Sequence, residues 1–298
     1  MGLFEHGQYF TGMRRHTLIL FLILALLPVA EVIAANSDSP LVMGVFPRRE
    51  AGKTRQMFQP LAAHLERSLR RKVQLVVPPD FPSFWKRLKN GDFHLVHYNQ
   101  YHYIKAHKLF DHRAILMNEE HGRASIRAAI LVPADSPVSS IAQLRGAKIL
   151  FGGSRGAMVS HIMAKDLLRK HGLHEHDYLT SIALNPIAAV NGMFYYQADA
   201  SSGSDSLLDM PNMPWRNNGK RPRVLAMSKP VAHLPWAVTP EVDQNLAKQI
   251  RDSLESLRSQ PRGQQILGLA QLTALRPAED KDYDAHRRIV ARTLGEQY

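Results

Sequence analysis

Short apolar runs alternate with stretches of helical periodicity along this chain, and no other feature constrains its fold as tightly. Residues 41–46 (LVMGVF) and 73–77 (VQLVV) read as buried strands. Between them Met57, Phe58, Leu61, Leu65 and Leu69 recur at helical spacing, with arginine and glutamate on the other face. Strand, helix, strand in that order is the βαβ unit of a parallel sheet. Residues 81–89 read as a short helix, 93–97 as a third strand, and 113–117 and 126–132 as two more. From Ser139 the alternation restarts. A strand at 148–151 meets a glycine-rich turn at 152–156. A periodic helix at 157–171 then places Met158, Ile162, Met163, Leu167 and Leu168 inward. A strand at 182–184, a helix at 187–196 and a strand at 198–201 continue the series. Residues 210–223 are rich in Pro, Asn and Gly, and 224–228 and 236–238 are strands. Helices begin near Glu241, Gly263 and Tyr283. The expected fold is α/β: two doubly wound α/β lobes joined by a two-strand hinge, with a ligand cleft between them. Residues 41–128 and 233–298 make the first lobe and 129–232 the second.

The N-terminus reads as an address rather than as structure. Arg14 and Arg15 precede an apolar run from 18 to 30, and Val32-Ile33-Ala34-Ala35 supplies a small-residue exit. Residues 1–35 are therefore expected to be a cleaved secretory signal peptide. The uninterrupted apolar stretch falls short of the roughly 20 residues a membrane span requires. Met13, directly before the arginines, is an alternative start. With no cysteine in 298 residues, disulfide staples, thiolate zinc sites and a cysteine nucleophile are all excluded. The formal net charge is +12, but the basic residues are spread along the chain and lack interleaved aromatics. Anionic ligands or surroundings fit that distribution; a nucleic-acid groove does not.

Two segments carry possible chemistry. FGGSRGAMVS, residues 151–160, joins a strand end, a glycine-rich turn and a helix start, which together present free backbone N–H groups. Ser154 adds a hydroxyl and Arg155 a forked cation. No Lys-Ser or Lys-Thr follows the glycines, so this is not a nucleotide P-loop. The alternative is an ordinary strand-to-helix turn. HLVHYNQYH, residues 94–102, sets His97, Tyr98, Asn99, Gln100 and Tyr101 at a strand's carboxyl end, where open α/β sheets bind ligands. Satisfied interface side chains are the alternative there. No set of histidines and carboxylates has metal-ligand spacing, and no G-x-S-x-G or H-E-x-x-H motif is present. No cofactor, no metal and no catalytic constellation is expected.

Four stretches in order, GVFPRREAGKTRQMFQPLAAHLERSL, VVPPDFPSFWKRLKNGDFHLVHYNQYHY, FGGSRGAMVSHIMAKDLL and QADASSGSD, together resemble the phosphate/phosphite/phosphonate-binding periplasmic proteins of ABC transporters. The resemblance runs from about residue 41 to 275. It implies a type II periplasmic binding fold, a small oxyanion held between the lobes, a membrane permease as partner and no enzymatic activity. Carried over by position, the implied ligand contacts are Phe81, then Tyr98 and Asn99, then Ser154, Arg155, Gly156 and Ala157, then Asn185, and finally Ser201 and Ser202. The family's usual Ser-Thr-Ser-Gly turn stands here as Ser-Arg-Gly-Ala, and no acidic residue matches the positions that hold an aminoalkyl group. Both departures favour a small, simple oxyanion over 2-aminoethylphosphonate. A monomeric periplasmic protein is expected. A sensing module of the same fold, reporting to a membrane kinase or cyclase, is the alternative role.

Overall fold

The computed structural model describes Ser39–Tyr298 apart from Arg48; the expected signal peptide at residues 1–35 lies outside the described residues. β1 (Leu41–Val45), α1 (Ala51–Leu69), β2 (Val73–Val76), α2 (Phe81–Lys89), β3 (Leu95–His97), α3 (Gln100–Phe110) and β4 (Arg113–Glu119) open the chain. β5 (Ser125–Ile126) and β6 (Ala128–Val132) lead to β7 (Lys148–Gly152). A π-helical stretch, Met158–Met163, runs on into α4 (Ala164–Lys170). β8 (Leu179–Ala183), α5 (Pro186–Phe194), β9 (Ala200–Ser204), α6 (Trp215–Asn218) and β10 (Arg223–Met227) follow. The chain then returns through β11 (Val231–Ala232) to β12 (Pro235–Val238), α7 (Gln244–Ser256), α8 (Pro261–Leu269), β13 (Ala274–Pro277) and α9 (Asp284–Leu294).

These strands build one sheet in the order β13-β4-β12-β3-β1-β2 and another in the order β10-β6-β9-β7-β8. β1 runs parallel to β2 and β3, and β7 parallel to β8 and β9, as the βαβ periodicity requires. The sheets are nonetheless mixed. β12 is antiparallel to β3 and β4, and β6 is antiparallel to β9 and β10. The cause is where the chain crosses. It leaves the first sheet at the carboxyl end of β4 and enters the second beside the carboxyl end of β9, so β6 runs back down the sheet, with Ala128 opposite Ser204. On return Trp236 pairs with His97, again at the carboxyl edge. The stretch expected as one strand at 126–132 divides at Arg127, because β5 leaves the sheet to pair with β11 between the two crossings.

Each sheet is covered on both faces, as strands this apolar demand. On one face of the first, Leu41, Met43 and Leu95 pack against Met57, Phe58, Leu61 and Leu65 of α1 and Ile250 and Leu254 of α7. On the other, Val96, Phe84, Tyr98 and Ile104 pack with Ile289 and Val290 of α9, and this cluster continues into Met158, Ile162 and Met163. In the second sheet Ile149 and Phe151 meet Leu167 and Leu168 on one face, while Leu131 meets Val190, Met193 and Trp215 on the other. Gly152, at the end of β7, is fixed by packing: a β-carbon there would stand 2.3 Å from the Cα of Pro186.

Candidate functional site

Four strand ends, each followed by a helix start, converge between the sheets. β2 hands over to α2, β3 to α3, β7 to the π-helical stretch, and β8 to α5. Three of these helices begin on a side-chain cap. Asp80 Oδ1 accepts from the Ser83 N–H (2.7 Å), Asn99 Oδ1 from Tyr101 (2.9 Å) and Asn185 Oδ1 from Ala188 (2.9 Å). The fourth, starting at Met158, has no side-chain cap, so the N–H groups of its first turn have no intrahelical partner. Around these starts lies a chamber of about 270 Å³. Asp80, Phe81, Asn99 and Gln100 line it from the first half, and Ser154, Ala157, Met158, Val159, Ser160, Asn185 and Ser204 from the second. Phe46, Ile126, Leu184 and Leu234 add apolar walls. Among the described residues no lysine or arginine lines it. Positive potential there comes from helix dipoles and N–H groups.

A larger, more charged chamber of about 640 Å³ adjoins it and shares Asn185, Pro186 and Ser204. Arg49, Glu50, Lys53, Glu120 and Gln271 lie on its walls. Glu50 caps α1 by accepting from Gly52 and Lys53 (2.7 and 2.9 Å), and Arg49 donates to Gln271 (2.6 Å).

The expected residues divide. Phe81, Asn99, Ser154, Ala157 and Asn185 all face the smaller chamber. Phe81 stacks on His102 with centroids 4.4 Å apart, which fixes the ring at the wall. Asn99 reaches across the cleft and donates from Nδ2 to the Gly156 carbonyl (3.2 Å). Tyr98 does not reach the chamber. Strand alternation sends it to the face opposite His97, where it is wholly buried and its hydroxyl is hydrogen-bonded to His112 Nδ1 (2.6 Å). Burial raises the phenol's pKa and pushes His112 down to about 4. Arg155 is exposed at the turn and is not on the chamber wall. Gly156 accepts the Asn99 bond through its carbonyl; a β-carbon on it would meet His102 at 3.2 Å and Tyr101 at 3.3 Å. The left-handed residue of the turn is Gly153, with φ +81. Ser201 and Ser202 are buried within β9, and Ser202 donates to the Ser160 carbonyl, so the strand's contribution to the chamber comes two residues later, from Ser204.

Gln100 and Ser160, which lie within the two segments expected to carry chemistry, also line the chamber, and so do Asp80 and Ser204, which were not expected as contacts. Asp80 stands directly before Phe81, and Ser204 falls within QADASSGSD. Burial pushes His102 down to about 3 and His161 down to about 4, so both rings are neutral near pH 7.

Comparison with known proteins identifies a family and a shared fold. The family model described as ABC transporter, phosphonate, periplasmic substrate-binding protein matches residues 43–283. PhnD1 from Prochlorococcus marinus in complex with methylphosphonate is 15% identical with a TM-score of 0.74, over 87% of this chain and 99% of that one. A Xanthomonas citri protein bound to chloride is 18% identical with a TM-score of 0.71, over 86% and 97%. The periplasmic aliphatic sulphonate-binding protein SsuA from Escherichia coli is 16% identical with a TM-score of 0.57, over 86% and 88%. At these identities the structural likeness establishes a shared fold.

Proposed function

The chain belongs to the periplasmic phosphonate-binding family of ABC-transporter substrate-binding proteins, and from that premise we propose that it holds a phosphonate, phosphate, phosphite or related small oxyanion in the chamber between its sheets and presents it to a membrane permease. Family membership implies the periplasmic location, the small-molecule ligand and the permease. The convergence of four helix starts on one chamber is the observation that carries the choice of an oxyanion. Uncapped N–H groups at Met158 and the hydroxyl of Ser154 are suited to oxygens spread over a tetrahedral anion, while Ser160 donates its own hydrogen to the Gly152 carbonyl. Asn99, Ser154, Ala157 and Asn185 are the proposed polar and backbone contacts, with Phe81 as an apolar wall. Binding proteins of this family and fold make and break no covalent bond in the ligand; closure of the two halves is the event a permease recognises.

A thermal-shift screen of the purified protein with phosphate, phosphite, methylphosphonate, sulfate and methanesulfonate tests this. A ligand that binds only the native state raises the melting temperature by mass action, by about 2.7 kcal/mol of stability at a hundredfold excess over Kd. A phosphorus oxyanion is expected to raise it at micromolar to millimolar concentration. If none of the five does, the assignment of the chamber to a small oxyanion is wrong.

A further inference from the structure

We infer that Gln100 selects for a hydrogen-bond donor on the bound anion, so that the preferred ligand is a protonated phosphorus oxyanion, one carrying a P–OH, rather than a sulfonate or sulfate. The inference rests on the oxyanion occupying the smaller chamber.

Gln100 is the first residue of α3, is 1% exposed and lines the chamber. Its Nε2 donates to the Ala232 carbonyl of β11 (3.3 Å). A carbonyl can only accept, so this bond fixes which end of the amide is nitrogen. Oε1 is then left buried with no partner among the described residues. A buried acceptor without a donor is costly and uncommon. The other conspicuous acceptor on the wall, the Asp80 carboxylate, is exposed and accepts from Ser83 (2.7 Å). The donors left on the polar lining are the Ser154 hydroxyl, the Asn185 amide and helix-start N–H groups, which suit bare anionic oxygens; Ser160 donates to the Gly152 carbonyl, Ser204 pairs with Ser206 and Asn99 donates to Gly156. One acceptor set among donors matches an anion with one hydroxyl. A phosphonate or phosphite monoanion has that hydroxyl; a sulfonate has oxygens of similar shape and none of them is protonated. Because the same amide holds β11, which pairs with β5 between the two crossings, a ligand that satisfies Oε1 also steadies the hinge.

Calorimetry with methylphosphonate and methanesulfonate, across about pH 6 to 9, tests this. The wild-type protein is expected to prefer methylphosphonate by roughly tenfold or more at the acid end, the value of one hydrogen bond to a charged group. That preference should shrink by about tenfold per pH unit above the ligand's second ionisation, since only the protonated fraction is competent. Gln100→Met, similar in size but without the acceptor, should bring the affinity ratio of the two anions close to one. Asp80, His97, His102, His161, His286 beside the Ala232 backbone, and His233 with Glu120 are the titratable groups near the chamber and hinge. Their titration affects both anions, and methanesulfonate, which does not ionise in this range, reports it. A wild-type preference that is absent or flat with pH overturns the inference, as does a Gln100→Met protein that keeps the wild-type ratio. If that variant does not fold, the wild-type pH series decides alone. If neither anion binds the wild-type protein, the oxyanion chamber itself is rejected, and the inference with it.

Discussion

Burial of histidines sets much of the pH behaviour of the folded chain, with fully buried His286 pushed down to about 3 and three further rings lowered as well. His112 and His161 are 3% and 2% exposed, and His102 has its Nδ1 buried without a partner among the described residues. Desolvation, with a smaller contribution from Lys105 at His102 and Lys165 at His161, lowers their pKa values to about 4, 4 and 3 from 6.5. In the unfolded chain they titrate at the ordinary value, so between about pH 6.5 and 4 the unfolded state binds more protons than the native one. Stability is then fully present above 6.5 and is lost as pH falls through that window, by on the order of 1 kcal/mol or more per ring. Urea midpoints at pH 7 and pH 5 should differ clearly, and His112→Phe should reduce the difference; a midpoint that does not move would mean that the rings are not held neutral by burial. Tyr98 belongs to the same network. Its hydroxyl is hydrogen-bonded to His112 in the core, so its weight in this protein is on packing rather than on ligand contact.

At the scale of elements, α9 does more than close the first half. It packs on α3 and also on the π-helical stretch and α4 of the second half. Arg292 donates from Nε and Nη2 to the two oxygens of Asp166 (both 3.3 Å), Lys170 approaches the same carboxylate at 2.6 Å, and Arg169 donates to the Arg292 carbonyl (2.5 Å). Asp166 is 5% exposed, while Arg292 stands about half in solvent. Removing one partner of a carboxylate that keeps another is a modest loss when the removed cation is this exposed. Arg292→Ala is expected to lower stability by about 1 kcal/mol in urea denaturation, and the loss should shrink when the same variant carries Asp166→Asn. Additive losses from the two substitutions would show that the contact between α9 and α4 is not energetically coupled. The π-helical start of this element is also where the helix lacks a side-chain cap, with Ala157 O accepting from both His161 and Ile162 (3.0 and 3.1 Å). Irregular helix starts of this kind are frequent at binding sites.

At the scale of the whole molecule, the relevant variable is how the two sheets come together. The Gly153–Ala157 turn faces Tyr101 and His102 of the other half, and Asn99 bonds to it directly. Gly156→Val would place a β-carbon 3.2–3.4 Å from those rings, with two methyl groups beyond it. Overpacking of this kind costs about 1–3 kcal/mol, and here it falls on the contact between the turn and those two rings, which the proposed closure would require. The variant is expected to bind its oxyanion roughly tenfold or more weakly, because a smaller fraction of the protein can close, while its ligand-free melting temperature changes little. Small-angle scattering of the variant at saturating ligand should give a larger radius of gyration than the parent under the same conditions. Parental affinity together with the parental radius would mean that the turn has no part in closure.

The alternation of apolar runs with helical periodicity determined the α/β class, because a parallel βαβ unit buries its strands on both faces and has to be written that way. Local chemistry likewise placed the helix starts: Asp80, Asn99 and Asn185 cap the residues that follow them, and each cap is a short-range bond. The strand-end cluster with Asn99 and the glycine-rich turn with Ser154 were therefore legible in the residues, while Phe81, Ala157 and Asn185 came only from the family resemblance. Which way a side chain turns at a strand end was not legible. Tyr98 and His97 are neighbours in a polar cluster, and only the sheet's pleat and the helices stacked on each face decide that Tyr98 goes into the core. The antiparallel entry of β6 and β12 depends on the edge at which the chain crosses, a property of two sheets that no local window contains. The role of Gln100 is of the same kind. Its oxygen lacks a partner because Ala232, 132 positions along the chain, has taken its nitrogen, and only the folded hinge brings those two residues together.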